Sequence, residues 1–334
     1  MTRPVPPEWA PHRAIWVGFP SHPELWEADL EAAQAETAAL VRALAGPGGE
    51  RVRLMVDGDA AADAAVRLLG GAVKDDSIEI VRGRFGDIWL RDTGPIFVSP
   101  NEAVAFRFNG WGGKYVLDGD ETVAEQIAAA AGAVLSRHDV VLEGGALEHD
   151  GEGTLITTRE CLLNPNRNRG WTEAVTEAAL RDALGARKVI WLGAGLLHDH
   201  TDGHVDNLAR FVAPGVVAIP VAFGEKDPNA GIYDAAAAAL AGQPDAAGRT
   251  LKVMRIPSPG QVLGPDNIPV PASHMNFVIA NRAVIAPTYG GPGATWATKA
   301  LAELFPDREV IALSSRALLT GGGSFHCITQ QEPA

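Results

Sequence analysis

Apolar residues recur at helical spacing over residues 24–45, and Gly46-Pro47 closes the stretch with a helix-stop signal. The run RVRLMVD (51–57) then reads as a strand, 60–69 as a helix and SIEIVRG (77–83) as another strand. The rhythm returns downstream, with helices expected at 122–131, 172–184, 232–241 and 295–305. Short β-rich runs lie between them: TLITT, KVIWL, GVVAIP, NFVIA and AVIAP. No Ser/Pro-rich linker or low-complexity tract interrupts the alternation, so the pattern reads as one α/β domain over 1–334.

A second, slower rhythm overlies the first. Five stretches each bring polar residues into a β-rich run: WLRDTGPIFV around Asp92, LEGGALEHDGEGTLITT around Glu143, GHVDNLARFV around His204, ASHMNFVIANRAVIAP around Asn276 and GGGSFHCIT around Cys327. The steps between them are 143−92 = 51, 204−143 = 61, 276−204 = 72 and 327−276 = 51. A repeat of that length predicts a closed ring of units, each donating a side chain toward a common axis, with chance similarity as the competing reading.

Composition narrows the chemistry. The 334 residues carry a net charge of −13, which argues against nucleic acid as a partner and is compatible with a cationic ligand. No apolar run is long enough to span a membrane. The start, MTRPVPPEWAPHR, lacks an apolar signal core, so a cytoplasmic protein with reduced thiols is expected. Oligomeric state is left open, a homo-oligomer included. With two cysteines, neither a disulfide scaffold nor a Cys-rich zinc site is expected.

The candidate chemistry is concentrated in a few places. HDHTDGHVD (198–206) packs three His and three Asp into nine residues. If GHVDNLARFV is a strand, His204 and Asp206 share one face, an arrangement suited to acid/base work. The same segment also suits a metal site or a solvated loop. Asp92 precedes Gly94-Pro95 and reads equally as a turn residue paired with Arg91, and Glu143 precedes two glycines that permit close approach. EHDGEG (148–153) reads as a solvated hairpin loop, Cys161 as a buried inert thiol, and Asn164, Asn166 and Asn168 as loop residues fixed by local hydrogen bonds. Cys327 follows three glycines. On a strand, its neighbour His326 points to the opposite face, so His204 is the better candidate for its base.

Taken together and in order, WLRDTGPIFV, EGGALEHDGEGTLITTRECLLNPNRN, DGHVDN, ASHMNFVIANRAVIAP and GGGSFHCITQQ resemble the agmatine deiminase family. The resemblance runs from Trp16 to Gln331. It implies a pentein, the five-bladed α/β propeller of guanidine-modifying enzymes, and a reaction without metal or organic cofactor. Residue by residue it implies guanidinium-binding carboxylates at Asp92 and Asp206, an acid/base pair at Glu143 and His204, and a nucleophile at Cys327. Trp89, Trp111, Asn276 and Gly322 are further expected to contact the substrate.

The chain departs from the family pattern at FPSHPELW (19–26, notably Ser21-His22), at His274, in EGGALEHDG and at Ser324-Phe325. None of these touches the five chemical residues, and they are expected where the non-reacting tail of the substrate is read. The identity of the guanidino compound is thereby left open, with agmatine, arginine and acylated or peptidyl arginine as candidates. The same fold also serves amidinotransferases and non-catalytic binding proteins, and a metal-dependent hydrolase is the remaining alternative.

Overall fold

The chain was described as a computed structural model covering residues 4–74 and 76–334. Five small sheets account for its named strands, and they follow one another along the sequence. Four share one plan: a short leading strand, an antiparallel partner, then a third strand parallel to the partner. They are Ile96–Ser99 with Glu102–Arg107 and Val134–Val141; Glu148–His149 with Thr154–Thr158 and Lys188–Leu192; Arg210–Ala213 with Val216–Val221 and Lys252–Pro257; and Val278–Ile279 with Ala283–Thr288 and Glu309–Ser314.

Parallel neighbours cannot be joined by a tight turn, so each second pair needs a crossover. Helices Val123–Ala131, Glu173–Leu184, Ala230–Leu240 and Gly293–Leu304 supply it. These are the periodic segments of the sequence, their ends shifted by no more than two residues. Thr172, expected as the first helical residue, instead caps its helix by accepting from Val175 N.

The remaining sheet closes the series. Its leading strand is Thr329–Pro333, which runs antiparallel to His12–Gly18 and pairs Trp16 with Gln330. Helix Leu30–Ala45 then crosses to Val52–Val56, and helix Asp59–Leu69 leads to the edge strand Ile78–Arg82. Helix Leu30–Ala45 also packs on Glu309–Ser314 of the preceding sheet, and Thr329–Pro333 touches Ile96–Ser99 of the next.

One expected element is broken. In place of a continuous helix over 24–45, a turn at Pro23–Trp26 passes into a 3₁₀ segment, Glu27–Asp29, before the long helix starts. Glu27 takes φ 46°, which ends the first turn. Trp26 is held aside by its indole donating to Asp87, 3.1 Å away.

The apolar core divides into separate clusters rather than a single centre. The short leading strands Glu148–His149 and Arg210–Ala213 carry charge into the interior. Glu8, Glu148 and Arg210 are buried there, and Arg210 pairs with both carboxylates and donates to the carbonyls of Met275 and Phe277. EHDGEG is accordingly not a solvated loop. Glu148 belongs to this ionic centre, and Asp150 is buried, accepting from Glu152 N and Thr154 N.

Candidate active site

Each chemical residue sits in the turn just ahead of a leading strand. Asp92 lies in the short helix Leu90–Thr93 before Ile96, and Glu143 precedes the 3₁₀ turn Gly144–Ala146 before Glu148. His204 stands just before the turn Val205–Asn207 and Asp206 within it, ahead of Arg210; Asn276 precedes Val278, and Cys327 precedes Thr329. The slow rhythm of the sequence is the recurrence of this one position. It also corrects the strand premise: residues 203–208 form no strand, and His204 and Asp206 meet through the turn rather than through alternation along a strand.

Gly145 shows how closely they meet. A methyl group there would lie 2.6 Å from His204 Nδ1, 2.8 Å from Asp92 Oδ1 and 3.2 Å from Asp206 Oδ2, so no other residue fits without displacing all three. Its amide donates to Asp92 Oδ1 over 2.9 Å, and Trp111 Nε1 donates to Asp92 Oδ2 over 2.9 Å. Trp111 lies in the run Gly110–Gly113, with φ of 70°, 52°, 84° and 83° in succession. Three glycines make such a left-handed path accessible, and it turns the indole inward. Arg91 does not pair with Asp92; it donates to Gln330 Oε1 over 2.9 Å instead.

Cys327 Sγ lies 3.7 Å from Asp206 Oδ2, and Asn276 Nδ2 donates to the sulfur over 3.1 Å. His326 is not on a strand. It projects beneath the site, with Nδ1 2.8 Å from Asp206 Oδ2 and Nε2 3.1 Å from Glu8 Oε2. His204 lies between two acids, Nδ1 3.7 Å from Asp92 Oδ2 and Nε2 3.7 Å from Glu143 Oε2. The other oxygen of Glu143 accepts from Arg167 Nε over 2.7 Å, and Arg167 continues to Asp202, which holds Lys114.

The electrostatics follow from burial and these partners. Burial pushes Asp92 up to about 6 against the pull of His204, and the charges of Asp206 and Glu143 add to the rise. Burial alone would lower His204, but Asp92, followed by Cys161 and Glu143, holds it well above the ordinary imidazole range. For Glu143, burial is outweighed by the His204 imidazole facing it and the charge of Arg167, so it stays below its usual value. Burial, then the charges of Asp206 and Asp92, push the Cys327 thiol well above its usual value.

Above these groups opens a cavity of about 340 Å³, with Cys327 and Asp92 among its lining residues. Trp26, Trp89 and Trp111 contribute its aromatic walls, with Gly321, Gly322 and Gly323 beside them. At Gly323 a methyl group would fall 2.5 Å from the Trp89 ring. Among the described residues, four carboxylates line the cavity, Glu27, Asp29, Asp87 and Asp92, and no Lys or Arg does. Asp87 accepts from both Trp26 Nε1 and Trp89 Nε1 and is pushed up to about 7 by burial.

Of the expected contact residues, Trp89, Trp111 and Gly322 line this cavity, whereas Asn276 lies on Cys327. Most departures from the family pattern lie away from it. His274 stacks on Tyr289 with Nδ1 2.8 Å from Pro257 O, and His22 Nε2 lies 2.8 Å from Phe85 O. The Ser324 hydroxyl is 2.7 Å from that of Ser315, and Phe325 is a core residue. Only Leu25 and Trp26, at the end of the 19–26 stretch, reach the cavity. Arg167 and Asp87 were not anticipated. Arg167 stands between two of the asparagines read as loop residues, and Asp87 lies five residues ahead of Asp92; neither spacing marks them.

Residues 4–333 match the Porphyromonas-type peptidyl-arginine deiminase family. An agmatine deiminase of Stutzerimonas stutzeri is 39% identical over 360 residues, covering 99% of this chain and 95% of that protein. Among solved structures, the agmatine deiminase of Enterococcus faecalis superposes with a TM-score of 0.92 at 31% identity, covering 99% of this chain and 96% of that one. A Campylobacter jejuni agmatine deiminase with substrate bound gives 0.88 at 26%, covering 100% and 97%. With the same mixed α/β architecture over its whole length, the chain belongs to the Porphyromonas-type peptidyl-arginine deiminase family, among relatives that are agmatine deiminases.

Proposed function

We propose that the protein deiminates agmatine, giving N-carbamoylputrescine and ammonia. The observation that carries this reading is the cavity: aromatic walls, four carboxylates and, among the described residues, no Lys or Arg, with a thiol in its lining. A guanidinium needs carboxylates to offset its lost hydration, which Asp92 and Asp206 supply beside Cys327. The far end of the substrate meets Glu27, Asp29 and Asp87, a setting that favours an ammonium and leaves the carboxylate of arginine without a partner.

As the guanidinium binds, the Cys327 thiol gives its proton to water, and the thiolate adds to the guanidinium carbon, forming a C–S bond as the C=N pair moves onto nitrogen. His204 protonates one amino group, and collapse of the adduct breaks that C–N bond and releases ammonia. An S-alkylthiouronium remains on the sulfur. Water, losing a proton to His204, attacks the same carbon, and a second collapse expels the thiolate and frees the ureido product. Glu143, held by Arg167 on one oxygen and facing His204 with the other, polarises the imidazole and so favours its protonated form.

Substrate supplies part of its own activation. In the free protein the charges of Asp206 and Asp92 hold the thiol up, and a guanidinium between them cancels those charges. The test is a substrate panel of agmatine, arginine, N-acetylarginine and 4-guanidinobutyrate, with ammonia and ureido product both measured. Agmatine is expected to exceed arginine in kcat/KM by at least about 100-fold. Equal rates on all four compounds would overturn the assignment.

A further inference from the structure

Three potential ligand atoms converge behind His204, on the side away from Asp92. Cys161 Sγ, a ring nitrogen of His204 and a carboxylate oxygen of Glu143 all lie within 4.8 Å of one another, all three residues are buried, and His204 Nε2 faces Glu143 Oε2 at 3.7 Å. Cys161 is turned inward by the short helix Arg159–Leu162, which Thr158 caps by accepting from Cys161 N over 3.3 Å. Among the described residues, neither His204 Nε2 nor Glu143 Oε2 has a hydrogen-bond partner. Their 3.7 Å separation is too long for a hydrogen bond. It is close to the edge of a tetrahedron around an ion with bonds of about 2.1 Å, which sets two ligands about 3.4 Å apart.

We propose that Cys161, His204 and Glu143 form a binding site for a borderline divalent cation, best matched by Zn²⁺, and that its occupation switches the enzyme off. The donor set of thiolate, imidazole and carboxylate is one that Zn²⁺ prefers and that Mg²⁺ or Ca²⁺ does not. Glu143 already has a hydrogen-bonded supporting partner of the kind metal sites use, and His204 faces an acid on its far side. Arg167 holds the far oxygen of Glu143 over 2.7 Å, and Asp92 lies 3.7 Å from the far nitrogen of His204. Three protein ligands leave the fourth tetrahedral position to water.

The inhibition follows from what is bound. A metal on Nε2 takes the lone pair of the imidazole and removes the carboxylate that polarises it, so His204 can no longer carry a proton between substrate and water. Cys327 is not a ligand in this site. Binding requires the Cys161 thiolate, so the affinity rises with pH.

The chain has two cysteines, which makes the site directly testable. Co²⁺ is added to the metal-free Cys327→Ser protein, whose sole remaining thiol is Cys161, and sulfur-to-cobalt charge-transfer absorption is recorded. A saturable one-to-one band, displaced by Zn²⁺ and absent from the double variant Cys161→Ala/Cys327→Ser, is expected. In parallel, Zn²⁺ should inhibit the wild-type enzyme reversibly, and Cys161→Ala should be inhibited at least about tenfold more weakly, relative to its own metal-free rate. No band in Cys327→Ser, with one in Cys161→Ala, would put the ion on the nucleophile and overturn the proposal. No band in either protein would overturn it as well. The inhibition rests on the deiminase reading, whereas the absorption band does not, so failure of one is distinguishable from failure of the other.

Discussion

Two clusters of buried charge face each other across Asp206. On the cavity side, Asp92, Glu143, His204 and Cys327 are held 3.7 Å apart or more where acid meets imidazole, and among the described residues Glu143 Oε2 and His204 Nε2 find no hydrogen-bond partner. On the other side, Arg210 is shared by Glu8 and Glu148 and also donates to two backbone carbonyls, and His326 joins Glu8 to Asp206. Arg210 and His326 outweigh burial and hold Glu8 well below the carboxylate range, although Glu148 is still pushed up to about 7. The difference is one of completeness. The inner cluster satisfies itself and ties leading strands together, while the outer one is short of a cation and is completed by substrate.

If that division holds, damage on the two sides has opposite signatures. Cys327→Ser should cost at least about 10⁴-fold in kcat with little change in stability, measured by ammonia release and by urea unfolding. Retained turnover would dissolve the distinction. Arg210→Met leaves Glu8 and Glu148 facing each other without a cation, so unfolding in urea should show a loss of about 3–5 kcal/mol, with turnover still measurable at low temperature. Unchanged stability would mean that the inner cluster holds nothing together.

Smaller effects sharpen the picture. Trp111→Phe removes a donor to a charged acceptor, Asp92, and is expected to lower kcat/KM about 10–100-fold. The pH dependence of kcat/KM should show an acidic limb near 6. Asp92 is pushed up to about 6, so it is ionised above that pH and loses its negative charge as pH falls through it. Below the limb, kcat/KM should drop about tenfold per unit. A limb near the ordinary carboxylate value would place Asp92 in a wetter, better-paired setting than the one described.

The sequence made the outer cluster legible and left the inner one hidden. Asp92, Glu143, His204 and Cys327 stand within four residues of a glycine ahead of β-rich runs, because a tight turn must deliver each side chain before a strand begins. That local signature repeats and is readable. Glu8, Arg210 and His326 meet across up to 318 residues of sequence, and no local pattern encodes such pairing. Arg167 escaped notice for the same reason, its partners lying on other turns. The helix break at Glu27 was hidden differently. The apolar spacing runs through it, and the left-handed residue that interrupts it is an ordinary glutamate whose displacement depends on the distant Trp26–Asp87 contact.

The pairing of Thr329–Pro333 with His12–Gly18 governs when reactivity can appear during synthesis. A ribosome makes the edge that receives this strand early and the sulfur that precedes the strand late, so the growing polypeptide exposes four of the five groups before it owns a nucleophile. Reactivity therefore waits for that segment to dock.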